Sequence, residues 1–544
     1  MNSFSAKEDR GHTWWSRIPL ASQLASRDGG GAGSDVTAGL TVGVLLIPQG
    51  MAYALIAGLP PVYGLYAALL PLLVYALLGS SRQLAVGPVA MVSLLVAAGV
   101  APLAEGNPER YLALAVSLAA FVGLIQLGMG LLKLGFVVNL LSHPVLSGFT
   151  SAAALIIATS QLPNLLGVDV PRGERPYDAL LEAVRSSPNM SGITVAVGLA
   201  AILLSITIKR RFPRLPVPMV VVVVGTGAAA LFGLSDQGLQ IVGTVPSGLP
   251  SFALPVASLE DIRSLAPIAL AISMVGFMES IAVAKTYASR NNYEIDPDQE
   301  LKALGTANLL GSAFQSFPVT GGFSRTAVND QAGAKTQLAS VVSAVVIGVT
   351  LFALTGWFYY LPKAVLAAII VVAVASLVDL KGARELWKVD RRDFALMLVT
   401  FVATLALGIE EGILVGATVS LIIVIHQISR PHTAALGRVD GTNTFRSLDR
   451  NEGATPVDSV LIFRMDASLF YGNAEFLRDE IRSALKERGE TKTLVLDAYP
   501  INRVDSTGLH MLQRLVTELE QEGVRFFLAC AKGPLLDKLR RGGL

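Results

Sequence analysis

The sequence predicts an α-helical membrane protein that continues into a soluble α/β domain, and three features of its composition carry that prediction. Lys and Arg number 43 and Asp and Glu 41, so 15% of the 544 residues are charged, against about 25% in soluble proteins. Hydrophobic residues make up 52% and the mean hydropathy is +0.56, which excludes an ordinary soluble enzyme. The deficit is also uneven. Residues 36–160 hold five charges, Arg82, Glu105, Glu109, Arg110 and Lys133, whereas residues 431–544 hold 32 in 114 positions. A boundary is therefore expected near Arg430 and Pro431, with a linker over 431–456 and the soluble domain over 457–544.

The net charge of +2 is too small for a nucleic-acid binder. Cys530 is the one cysteine, which excludes a disulfide framework and a thiolate zinc site. No metal-ligand cluster, nucleophile with its base or phosphate-binding glycine loop is present, so neither an enzyme nor a cofactor is expected. Residues 1–35 are polar, Gly-rich and mixed in charge, without the order of a cleaved signal peptide. They are expected to form a cytoplasmic N-terminal segment, with the membrane domain over 36–430.

With no water in the hydrocarbon, backbone that crosses it has to be helical. Fourteen segments are read in order, near 36–58, 61–78, 84–103, 111–131, 136–160, 191–208, 217–234, 265–287, 301–316, 319–332, 336–357, 362–378, 392–408 and 411–429. Several are too short to cross alone. With the N-terminus inside, the inner loops hold fifteen Lys and Arg and the outer loops six, Arg110, Arg172, Arg175, Arg185, Arg263 and Lys363. Cytoplasmic loops carry such an excess. The expectation is a multi-pass protein of the cell (inner) membrane with its C-terminal domain in the cytoplasm.

An internal repeat locates a site. Pro88 in VGPVA and Pro318 in SFPVTGG each interrupt a hydrophobic stretch, 230 residues apart. The same offset aligns Gln49 in PQGMAYA with Glu279 in MESIAVA, and Ala52 and Ala54 with Ala282 and Ala284. Inverted halves whose broken helices meet at the midplane are a common transporter plan. A helix starting inside the membrane directs free N–H groups and partial positive charge at what faces it, so two such ends make an anion site.

Ionisable residues at that depth are functional candidates, and Glu279 and Arg325 stand out. Arg325 lies seven residues after Pro318, with Thr320, Ser324 and the Gly321–Gly322 pair nearer the helix start. Gln49 and Tyr53, four apart, share one face of the first segment. Asn308, Gln315 and Asn329 are read as interhelical hydrogen-bonding groups, and His143 and His426 as silent interfacial residues. Glu279 is expected to pair with Arg325 when the site is empty, then to be displaced by the anion and take up a proton.

The run AGLTVGVLLIPQGMAYALIAGLPPVYGLYAALLP, the block NYEIDPDQELKALGTANLLGSAFQSFPVTGGFSRTAVN and the tail DSTGLHML closely resemble the SulP family of sulfate permeases and related anion transporters. The resemblance implies a seven-plus-seven inverted repeat divided into core and gate domains, a cytoplasmic STAS domain and a homodimer. It would put the anion on Gln49 and Tyr53, Val89 and Ala90, Glu279, and Thr320, Gly321, Gly322, Phe323, Ser324 and Arg325. The glutamate resembles the proton-coupled branch.

Strand-like VLIFRM, TLVLDA and VRFFLAC alternate with helical patterns at 473–488 and 507–522, an α/β unit in its own right. Asp505 and Ser506 precede the second helix, and the resemblance makes Ser506 a possible regulatory phosphorylation site and the domain a dock for a cytoplasmic partner. The residue types alone read Ser506 as the helix cap. The chain reaches Leu544 with LLDKLRRGGL, before the final helix expected of a STAS domain, so a shortened domain is expected. The leading function is a secondary active transporter of a small oxyanion, proton-coupled sulfate symport, with the anion between the half-helix N-termini of the third and tenth segments. Bicarbonate or C4-dicarboxylate transport and a non-transporting sensor signalling through STAS are the alternatives.

Overall fold

The computed structural model describes residues 19–25, 32–136, 142–168, 190–212, 216–255 and 258–544. Most of the expected N-terminal segment, and Arg172, Arg175, Arg185 and Arg214 of the loop comparison, lie outside the described residues. Two compact units divide the chain, Met1–Ala417 and Thr418–Leu544.

Each of the fourteen expected segments carries a helix. The first seven are Ala32–Ile56, Pro61–Leu78, Ala90–Ala104, Pro108–Leu131, His143–Leu166, Gly192–Arg211 and Val217–Leu231. The second seven are Leu259–Arg290, Pro297–Ser312, Phe323–Gln331, Leu338–Phe358, Lys363–Val374, Arg391–Leu407 and Ile409–Ser429. Local sequence sets several starts. Asn107 accepts from the N–H groups of Glu109 and Arg110, with Pro108 first in the helix. Ser258 and Asp261 form a reciprocal capping box, and Asp296 caps the ninth segment ahead of Pro297. The tenth segment has nine residues, a rise of about 14 Å, so it reaches only part-way across hydrocarbon about 30 Å thick.

Packing sorts these helices into two groups. Segments 1, 2, 3, 4, 8, 9, 10 and 11 pack mainly on one another, as in 4 on 9, 1 on 11 and 8 on 3. Segments 5, 6, 7, 12 and 13 form the other group, through 5 on 13 and 6 on 12, and segment 1 bridges to 7 and 12. Small residues permit the closest approach. A Cβ on Gly123 of segment 4 would lie 2.5 Å from the Leu309 backbone N and 2.8 Å from the Gly305 carbonyl O. Of the three residues read as interhelical hydrogen-bonding groups, Asn308 is one, its Nδ2 bonding Gln126 Oε1 at 3.1 Å. Gln315 bonds Ser251 at 2.8 Å between two non-helical stretches, and Asn329 donates from segment 10 to the carbonyl of Gln83, which lies outside a helix, at 2.9 Å. A short helix not anticipated from the sequence, Leu380–Val389, joins segments 12 and 13.

The second unit contains a six-stranded sheet. Strands β3 (Thr433–Val439), β4 (Phe445–Ser447), β5 (Ala454–Thr455), β6 (Val460–Met465), β7 (Thr493–Asp497) and β8 (Arg525–Ala529) run in the order β4-β3-β6-β7-β8, with β5 beside β3. The parallel pairs β6–β7 and β7–β8 are joined through helices α1 (Ala474–Arg488) and α2 (Ser506–Gln521), as parallel pairing requires. Leu461, Phe463 and Met465 alternate inward along β6 onto Leu477, Ile481, Met511 and Leu515 of these helices.

Three expectations are corrected here. Residues 431–456 are not a linker, because they supply β3, β4 and β5, with β3 antiparallel to β6 from Thr433 to Leu436. LLDKLRRGGL, read as lying ahead of a further helix, itself forms one: α3 (Gly533–Arg541) follows β8 and buries Leu535 and Leu539 in the same core. Ser506 does not cap α2. Asp505 does, its Oδ1 accepting the Gly508 N–H at 2.7 Å while Oδ2 accepts that of Tyr471 at 2.9 Å, and Ser506 is left exposed as the first helical residue.

Candidate anion site

Two short extended stretches meet where the half-helices begin. β1 (Val86–Gly87) and β2 (Thr320–Gly321) pair antiparallel, Val86 with Gly321 and Gly87 with Thr320. Segment 3 then starts at Ala90 after Val89, and segment 10 at Phe323 after Gly322. Neither N-cap residue offers a side-chain acceptor, so the first-turn N–H groups of both helices keep their capacity to bind an anion. The equivalence of the halves is looser than the prolines suggest. Pro88 lies two residues before its helix and Pro318 five before its own, so helix starts are three residues out of step with the offset of 230.

The ribbon is braced from segments 8 and 9. Ser280 Oγ lies 2.6 Å from Thr320 Oγ1 and accepts the Gly321 N–H at 2.8 Å, while Thr320 Oγ1 donates to the Gly276 carbonyl at 2.5 Å. Asn308 holds Val319 on both sides, accepting its N–H at 2.8 Å and donating to its carbonyl at 3.0 Å. Thr326 donates to the Gly322 carbonyl and accepts the Ala85 N–H, and Gly322 N–H donates to Ala85 O at 3.1 Å. The Thr320 hydroxyl is therefore committed to the scaffold. Its part in the site is the backbone it fixes.

Arg325 is 2% exposed. Its guanidinium turns back along its own helix and NH1 donates to the Pro88 carbonyl at 2.6 Å, while Nε and NH2 have no hydrogen-bond partner. A Cβ on Gly322 would stand 2.9 Å from both Cζ and NH2, so glycine at 322 makes the space this conformation uses. The pair expected between Arg325 and Glu279 is absent among the described ion pairs, and Glu279 Oε2 is buried with no partner. The physical reason is the direction of the arginine, which crosses to β1 instead of reaching for segment 8.

Gln49, Tyr53, Val89 and Ala90 are buried, as are Gly321 and Gly322, whereas Phe323 and Ser324 are exposed. Segments 1, 3, 8 and 10 and β2 pack together, and Arg325 interacts electrostatically with both Tyr53 and Glu279. Gln49 Oε1 and Ser93 Oγ are buried and unpartnered. Ser93 and Ser280 went unmarked in the sequence. Their signals were present: Gly276 and Ser280, four apart, share one helix face, and Ser93 falls in the first turns after Pro88, matching Thr326 by helix start.

A model of the sulfate permease family matches residues 33–400, and a STAS domain model matches residues 454–544. The chain belongs to the sulfate permease family. Sulfate transporter 4.1, chloroplastic, of Arabidopsis thaliana is 38% identical over 513 residues, 91% of this chain and 74% of that protein. A probable sulfate transporter of Mycobacterium tuberculosis is 37% identical over 511 residues, covering 94% of this chain and 91% of the relative. Murine Solute Carrier 26 family member A9, an anion transporter solved in the inward-facing state, superposes with a TM-score of 0.91 at 28% identity, covering 100% of this chain and 92% of that one. The transmembrane domain of a cyanobacterium bicarbonate transporter, BicA, gives a TM-score of 0.62 at 24% identity over 73% of this chain and 98% of that one, a likeness of fold alone. This sulfate permease family member is thus a multi-pass membrane transport protein with a C-terminal STAS domain, and not an enzyme.

Proposed function

We propose that the protein is a secondary active transporter of sulfate, coupled to protons, with the anion held between the N-termini of segments 3 and 10. The observation that carries this reading is the convergence of two uncapped half-helix ends on a buried arginine with Nε and NH2 unpartnered. A guanidinium offers forked donors matched to a tetrahedral oxyanion, and backbone N–H groups supply the remainder without a second buried cation. The names of the relatives favour sulfate. Glu279 is the proton-coupling group, and the Lys and Arg excess of the inner loops sets the STAS domain in the cytoplasm.

Uptake of labelled sulfate, bicarbonate and succinate into proteoliposomes holding the purified chain, with and without sodium and an inward proton gradient, tests the reading. Sulfate accumulation driven by the proton gradient is expected. Preference for bicarbonate with sodium, or no uptake of any of the three, overturns it. Arg325→Lys replaces the fork with a point charge, and should raise the apparent KM for sulfate at least tenfold while leaving insertion intact.

A further inference from the structure

The helix Leu380–Val389 has no buried residue. Its apolar and basic residues form two adjacent strips. Leu380, Ala383 and Trp387 recur at i, i+3 and i+7, and beside them Lys381, Arg384 and Lys388 repeat the same spacing, so each set lies along one face. Leu380 and Trp387 are 65% and 54% exposed. Lys381, Arg384 and Lys388 make no ion pair or hydrogen bond among the described residues. Both ends are fixed. Asp379 accepts the Gly382 N–H at 2.8 Å and the Ser147 hydroxyl of segment 5 at 3.1 Å, and its own N–H donates to Ser151 Oγ at 3.1 Å. At the other end Trp387 meets Phe394 edge-on at 4.9 Å, Arg391 stacks over its indole at 5.4 Å, and segment 13 begins at Arg391.

We propose that this helix is a binding site for anionic phospholipid headgroups, lying in the surface plane of the bilayer with its Leu380–Trp387 strip among the acyl chains and Lys381, Arg384 and Lys388 on the phosphates. Continuity decides the occupant. Segments 12 and 13 flank the helix directly, which keeps it at the edge of the hydrocarbon they cross, and an apolar strip beside a basic one is the pattern of interfacial helices. Charge complementarity adds that three unpartnered cations facing headgroups favour phosphatidylglycerol over phosphatidylcholine. Each contributes about fivefold near an anionic surface, so removing all three lowers that preference by about a hundredfold.

The full-length protein in nanodiscs of mixed phosphatidylglycerol and phosphatidylcholine tests this by native mass spectrometry of the lipids retained on release. Wild type should retain phosphatidylglycerol selectively, and glycerol phosphate added at the same concentration should not compete. The variant Lys381→Gln, Arg384→Gln, Lys388→Gln should lose the selectivity, and Lys381→Arg, Arg384→Lys, Lys388→Arg should keep it. Brominated acyl chains should quench wild-type tryptophan emission more than that of Trp387→Phe. Unchanged selectivity in the glutamine variant, loss in the charge-preserving variant, competition by free glycerol phosphate, or equal quenching each overturns the proposal.

Discussion

Arg325 NH1 donates to the carbonyl of Pro88, 237 positions earlier in the chain, at 2.6 Å. One arginine of the second half is thereby tied to the residue that opens the half-helix of the first. Nothing holds its remaining nitrogens, so the contact sets the direction of the guanidinium and leaves most of its donors for a ligand. Gly322→Ala probes that direction without touching a charge. The added methyl, 2.9 Å from Cζ, has to push the guanidinium off Pro88, and a misdirected charge-assisted contact costs about 1.5–3 kcal/mol. Expression and insertion are expected to be normal, with the apparent KM for the anion raised about tenfold or more in vesicle uptake. An unchanged KM would show that the direction of Arg325 is immaterial.

Ser280→Ala removes a brace and no charge. It strips one partner from the Thr320 hydroxyl and the acceptor from the Gly321 N–H, leaving a buried donor unsatisfied at a cost of about 1–3 kcal/mol. Because β2 sets the start of segment 10, the loss is expected to reduce both thermal stability in detergent and maximal transport rate. Ser280→Thr, which keeps the hydroxyl, should recover part of each. A variant with full rate and unchanged Tm would mean that Asn308 holds the ribbon unaided.

How much of this was legible in the sequence depends on what fixed each feature. The bilayer demands closed helical backbone and disfavours charge, so the long apolar segments stand out in composition, whereas the nine-residue helix Phe323–Gln331, which holds Arg325 and Asp330, does not and is located by Pro318 ahead of it. The prolines disclosed two interrupted segments because Pro cannot donate within a helix. Side-chain direction was not legible: Arg325 could reach segment 8 or β1, and the sequence holds no term that favours Pro88 O over Glu279. Asp505 and Ser506 are both good caps, and only the backbone, extended at 505, decides between them. β4 and β5, at three and two residues, are too short to show alternation, and β3, though seven residues long, reads TAALGRV, with Ala and Gly where β6 has large apolar and β-branched residues.

In the STAS domain, Arg482 and then Arg478, both hydrogen-bonded to Glu518, hold its carboxyl below the usual 4.5. These contacts tie α1 to α2, with Arg482 also on Glu522 at 2.7 Å. A carboxyl whose folded value is depressed contributes stability above its unfolded value, and loses it as pH falls through the folded one. Hydrogen-exchange protection of α1 and α2 should therefore hold steady from neutral pH down to about 4.5 and decline below it. Glu518→Gln should lower protection at neutral pH and flatten that acid decline. A decline that begins between pH 7 and 6, or survives the substitution undiminished, would assign it to other groups.

Glu279 carries the last prediction, which rests on the proposed proton coupling. Its Oε2 is buried without a partner, no cation pairs with it among the described residues, and Arg325 is near enough to feel its charge. An anion drawn to Arg325 and the segment 3 and 10 helix ends thus arrives beside a like charge. Protonating Glu279 removes that repulsion and tightens anion binding, and by linkage a bound anion favours the proton by the same free energy, about 1–3 kcal/mol for a typical coupling. An empty-state ion pair is not needed for this, since the repulsion alone links the two ligands. Lower external pH should accordingly speed net uptake by the wild type. Glu279→Gln, a neutral mimic of the protonated form, should bind and exchange anion as well as wild type or better, yet gain nothing from an inward proton gradient. Net uptake against external pH for the two proteins decides the matter: identical profiles would mean that protons couple at another group, or that transport is not proton-driven.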